Sequence, residues 1–131
     1  MSDDEFLSAV LACTLAPAQF NHMGHVRVAW IHLQRYPFDE AVFRTCAAIK
    51  SYAAHLGATT KFHWTVREAL MHLLHNGGAA DRRLNWSAFI ARNNDLLANA
   101  RGHLARHYSD AMLEAGRESF VMPDRLPFQY A

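Results

Sequence analysis

Apolar positions along the chain recur at intervals of three and four residues, and this spacing predicts helices nearly throughout. The first is expected over about residues 3–16, capped by Ser2 or Asp3, with acidic residues in the first turn and Pro17 as its stop. A second starts near Asn21, a good N-cap, and runs to about Tyr36 before Pro37. At about 100° per residue its apolar stripe is Met23, Val26, Trp30 and Leu33, with His22, His25 and Ala29 along the adjacent edge. The third, about residues 38–56, opens with Asp39 and Glu40 and ends at Gly57. Its stripe of Val42, Cys46, Ile49, Ala53 and Leu56 suits packing against a neighbouring helix.

The fourth helix is expected from about Phe62 to the stop Asn76-Gly77-Gly78, with His63, Val66, Leu70 and Leu74 on one face and His72 and His75 pointing away. Residues 86–92 and 96–108 read as shorter helices, the latter with Leu97, Leu104 and Tyr108 inward. Ser109 caps a further turn through Leu113. Two prolines in residues 121–128 make the tail extended. The expected architecture is all-α: one compact domain over residues 1–131, with a bundle of four main helices, shorter C-terminal helices and an extended tail.

Composition agrees with this picture and narrows the function. Six glycines and four prolines are few for 131 residues, and a 51% hydrophobic, 19% charged chain can bury a core. A formal net charge of +1 without a basic cluster argues against nucleic acid as a partner. No apolar stretch approaches the length of a membrane span, and the N-terminus is acidic where a signal peptide is basic. Cys13 and Cys46 are too few for a disulfide framework and read as small buried apolar groups, so the expected location is the cytoplasm. Phosphate loops, nucleophile elbows and the H-E-x-x-H motif are absent from the sequence.

Nine histidines are a heavy load for this length, and three of them form the candidate site. His22 and His25, at i and i+3, leave one side of a helix with Cβ atoms about 5–6 Å apart, and both can reach a metal at about 2.0–2.1 Å. His63, on the expected inward face of a different helix, is the candidate third ligand. Three imidazoles around an open position make a catalytic-type site, and imidazole suits zinc first, with copper, iron or nickel also compatible. The same spacing also arises by chance in a histidine-rich helix, where border histidines merely form hydrogen bonds. His32 stands about 10 Å further along its helix than His25 and cannot join them. His72 and His75 read as outward groups near a helix C-terminus, and His103 and His107 as a solvated basic face, with His107 a reserve fourth ligand. Glu68 reads as a surface residue. Arg67 reads as a surface arginine or as an anchor for an anionic substrate.

The segment Phe20-Asn21-His22-Met23-Gly24-His25-Val26-Arg27-Val28-Ala29-Trp30 resembles a family of small bacterial all-helical proteins with the pattern F-x-H-x-x-H-x-R-x-A-W. The family's second motif, K-x-H-x-T, is matched by Lys61-Phe62-His63-Trp64-Thr65, and the stretch from Phe120 to Arg125 is also similar. The resemblance spans most of the chain. It implies His22, His25 and His63 as ligands and Arg27, Trp30 and Thr65 as residues supporting or packing around them, without naming a reaction. The family pattern has glutamate directly after the second-motif histidine, where this chain has Trp64. If that glutamate moves protons, activity or substrate differs here.

Two function classes lead. One is a metal-dependent enzyme acting on a small molecule by hydrolysis, hydration, elimination or, with copper or iron, oxygen chemistry. Phe20, Trp30, Phe62 and Trp64 would wall its pocket. The alternative is a non-catalytic metal- or small-ligand-binding module with a closed coordination shell. A third possibility is an interaction domain in which the histidines are incidental.

Overall fold

The computed structural model describes residues 1–58 and 62–128. Every regular element among them is helical: α1 (Asp3–Leu11), a 3₁₀ turn (Pro17–Gln19), α2 (His22–Arg35), α3 (Phe38–His55), α4 (Trp64–Asn76), α5 (Trp86–Arg92), α6 (Asn94–Ala98), α7 (Ala100–His107) and α8 (Asp110–Ala115). The protein is thus all-α, its four longest helices coming first. Among the described residues no helix is long and apolar enough to cross a membrane. The chain forms two compact units, Met1–Phe62 and His63–Ala131.

In the first unit α1 and α2 both pack on α3. Ser2 starts α1 with a reciprocal capping box, its side chain accepting from the Glu5 N–H while Glu5 accepts from the Ser2 N–H. The helix ends five residues earlier than expected. Cys13 takes a left-handed conformation (φ 57°), and the N–H groups of Thr14 and Leu15 both turn back to the Ala9 carbonyl. Leu15 is thereby buried, and its carbonyl accepts the Tyr52 hydroxyl from α3 at 2.7 Å.

The stripe expected on α2 is too narrow. Every residue from Val28 to Leu33 is buried, whereas Met23 is exposed. Such all-round burial marks a central helix rather than a surface one. On α3 Val42, Cys46 and Ile49 are buried as expected, but Leu56 lies beyond the last turn and is exposed.

The second unit is built on α4 and α7, which share a core of Ala69, Leu104, Tyr108 and Phe128. The single helix expected over residues 96–108 is two, α6 and α7, because Asn99 leaves helical geometry and caps α7 by accepting from the Gly102 N–H. Ser109 caps α8 as its position suggests. The extended tail is pinned along its length. Tyr108 donates its hydroxyl proton to the Val121 carbonyl at 2.7 Å, Ser109 hydrogen-bonds to the Asp124 carboxylate through N–H and hydroxyl, and Arg125 donates to the Ala105 and His107 carbonyls.

Candidate functional site

The H-x-x-H pair sits on the first turn of α2. Asn21 caps this helix by accepting from the Gly24 N–H at 3.1 Å. A Cβ at position 24 would fall 2.8 Å from the Gln19 carbonyl oxygen and 3.2 Å from the Phe20 ring, so glycine lets the 3₁₀ turn close against the helix. That closure places the buried Phe20 edge-on to His25, ring centroids 4.4 Å apart, and edge-on to Tyr52 at 4.6 Å. His25 is half-buried and braced by Phe20, whereas His22 is exposed.

The other motif residues on α2 have structural partners. The Arg27 guanidinium meets Asp3 at 3.0 Å, donates to the Met1 carbonyl at 2.9 Å and lies 4.4 Å over the Phe6 ring, which fastens α1 to α2. Trp30 is buried.

Of the second motif, Lys61 lies outside the described residues. Phe62 is half-buried, its ring 6.0 Å from the Lys50 ammonium. His63 is the N-cap of α4, its Nδ1 accepting the Val66 N–H at 3.2 Å. An acceptor nitrogen carries no proton, so the neutral ring holds its hydrogen on Nε2. In this state neither ring nitrogen offers an uncommitted lone pair to a metal. Ligation by His63 therefore requires giving up the cap.

The next two residues anchor the helix start to the tail. The N–H groups of Trp64 and Thr65 donate to the carbonyls of Arg117 and Gly116 at 2.8 and 3.1 Å. Thr65 is fully buried; its hydroxyl donates to the Ser119 carbonyl and accepts from the Val121 N–H, both at 3.1 Å. A Cβ at position 116 would clash with the Thr65 hydroxyl and would come within 2.7 Å of Val121, so this contact also needs glycine. Thr65 is therefore fixed by burial and by two hydrogen bonds to the tail.

Glu68 and His72 depart from expectation. The Glu68 side chain is only 18% exposed; one oxygen accepts the Trp64 indole N–H at 3.0 Å and the other lies 3.7 Å from His72 Nε2. His72 is buried rather than outward: its ring stacks on Phe128 at 4.5 Å and lies 5.6 Å from Phe120. The i, i+4 ladder of Trp64, Glu68 and His72 was visible in the sequence, but its cover comes from the remote tail. Arg67, in the first turn of the same helix, is half-buried rather than a fully solvated arginine.

His107 also departs from the solvated face expected for it. It is buried, Nδ1 donates to the Leu126 carbonyl at 2.7 Å, and its ring lies 4.7 Å from Phe128. His103 pairs with Asp95 at 3.3 Å. In the first unit the buried His32 hydrogen-bonds with Thr45 at 2.8 Å, and burial, aided by Arg44 and Arg35, depresses its pKa to about 4.

The three candidate ligands fall in two units, His22 and His25 in the first and His63 at the opening of the second. Among the described residues no group of three or more His, Cys, Asp or Glu side chains is arranged to hold a metal ion. Comparison with protein-family models, curated proteins and solved structures finds no match to this chain.

Proposed function

We propose that the protein is a metal-dependent enzyme acting on a small molecule in the cytoplasm, its ion held by His22, His25 and His63. Zinc is the first candidate, with copper, iron or nickel compatible with imidazole ligands. One observation carries the reading: two histidines share the capped first turn of α2, with His25 braced by a buried aromatic ring. Bracing lowers the entropy lost when an imidazole is fixed on an ion. An ion bound by imidazoles supplies either an activated water with a pKa near about 7 or polarisation of a substrate carbonyl. The residues' own work is to orient: Phe20 sets the His25 ring, and His63 exchanges its helix cap for coordination.

That exchange separates this reading from a second one. The commitment of His63 Nδ1 to Val66 favours a non-catalytic module in which His22 and His25 bind a metal or small ligand and His63 remains a cap. Elemental analysis of protein purified without a histidine tag, repeated on His22→Ala and His63→Asn, decides between them. Asparagine keeps a cap acceptor while removing the imidazole. The enzyme reading expects about one equivalent of metal, lost in both variants. Metal lost only in His22→Ala supports a metal-binding module, and no metal in any sample defeats the enzyme reading and the metal-binding form of the module.

A further inference from the structure

We infer that Tyr52 of α3 is a positioning residue for His25, acting through the ring of Phe20. These three side chains of the first unit form a continuous edge-to-face series. The Tyr52 and Phe20 ring centroids are 4.6 Å apart with planes at 68°, and those of Phe20 and His25 are 4.4 Å apart with planes at 69°. Edge-to-face pairs are directional, because the positive edge of one ring meets the negative face of the other. Turning the middle ring therefore disturbs both contacts.

One end of the series is fixed. Tyr52 is 4% exposed, and its hydroxyl donates to the Leu15 carbonyl at 2.7 Å, so its ring is tied at the tip as well as at the helix. Phe20 lacks a regular helix of its own: it ends the three-residue 3₁₀ turn, at φ −106° and ψ 53°. The direction of its ring is set by its neighbours, Gly24 on α2 and Tyr52 on α3. His25 is only half-buried on the first turn of α2, where several staggered rotamers are open to an imidazole, and contact with Phe20 selects among them. Tyr52 thus acts on His25 without touching it. The consequence for binding rests on the reading of His25 as a ligand, whereas the direction of the ring is measurable without any metal.

The test uses the full-length protein, first metal-free and then titrated with zinc. In metal-free wild type the Phe20 ring current is expected to displace the His25 ring-proton resonances from those of the exposed His22. Tyr52→Leu is expected to move them towards the His22 positions and to weaken zinc binding about three- to tenfold, the entropy of an imidazole that must be immobilised afresh. Tyr52→Phe keeps the ring, loses the bond to Leu15 and is expected to match wild type in both readings. In a Phe20→Leu background, Tyr52→Leu should have no further effect on either. Circular dichroism checks that each variant keeps the fold. Wild-type His25 resonances at the His22 positions overturn the proposal without any variant. So do resonances unchanged in Tyr52→Leu, or an effect of Tyr52→Leu that is equal with and without Phe20. Tyr52→Phe as perturbed as Tyr52→Leu also overturns it, by assigning the effect to the hydroxyl. A wild type that binds no zinc while His25 responds as expected defeats the ligand reading and leaves Tyr52 as the residue that orients His25.

Discussion

Phe128 lies flat against His72, with ring centroids 4.5 Å apart and planes 6° from parallel, and its ring also lies 4.7 Å from that of His107. One aromatic residue from the tail thus packs against histidines of both α4 and α7. It belongs to the same core as Ala69, Leu104 and Tyr108. The tail is therefore part of the core that holds the second unit together.

Phe128→Ala should cost about 3–4 kcal/mol of unfolding free energy, the usual range for emptying a buried aromatic site. Phe128→Leu, which keeps apolar volume but loses the stack, should cost about 1 kcal/mol. Urea denaturation measures both. In the alanine variant the ring-proton resonances of His72 and His107 should shift as the aromatic ring current is removed. A loss below about 1 kcal/mol for alanine would show that the tail adds little to the core.

The hydroxyl of Thr65 ties the start of α4 to the tail by donating to Ser119 and accepting from Val121. Thr65→Val removes the hydroxyl and leaves both groups without it, an expected loss of about 2–3 kcal/mol. Thr65→Ser keeps the hydroxyl and loses only a methyl group, about 1 kcal/mol. Amide exchange of Val121 in the native state checks the assignment: it should accelerate in the valine variant and stay close to wild type in the serine variant.

Local signals were the legible part of this sequence. Asn21 three residues before Gly24 and Ser109 three before Met112 announce their helix starts, and both cap as read. The early end of α1 was hidden because Cys13 is not a residue type that favours the left-handed conformation it adopts. The outward placement of His72 failed for a different reason. Periodicity along α4 cannot register a cover supplied by a residue 56 positions away. The same limit governs the candidate site. The pair on α2 is a property of one helical turn and was readable. The cap made by His63 was not, because histidine is an uncommon N-cap and imidazole spacing carries no trace of it.

His32 makes stability depend on acid. Its folded pKa of about 4 lies below the ordinary 6.5, so below pH 6.5 the unfolded chain takes up a proton that the folded chain refuses. Stability is full above pH 6.5, falls as the pH drops towards 4, and loses nothing further from this group below that. The pKa difference sets an upper bound of about 3 kcal/mol, and residual solvent screening brings the expected loss to about 2 kcal/mol. His32→Gln, which keeps a hydrogen-bonding group beside Thr45, should flatten this slope when urea denaturation is repeated between pH 7 and 4. An unchanged slope would assign the acid sensitivity to other groups.

The cap at His63 gives the most direct access to the site. Val66 donates its N–H to Nδ1, one of the orphan donors that every helix start must satisfy. His63→Ala should therefore destabilise the protein by about 1 kcal/mol in the absence of metal, whereas His63→Asn should be nearly neutral because its side-chain oxygen accepts the same bond. Adding zinc inverts the comparison. If His63 is a ligand, wild type alone gains stability with metal, by an amount that grows with concentration as RT ln(1 + [L]/Kd), and both variants respond equally weakly. If His63 is only a cap, asparagine and wild type respond alike. Thermal denaturation of the three proteins in chelator and in zinc thus separates the capping role, already visible in the hydrogen bond to Val66, from coordination.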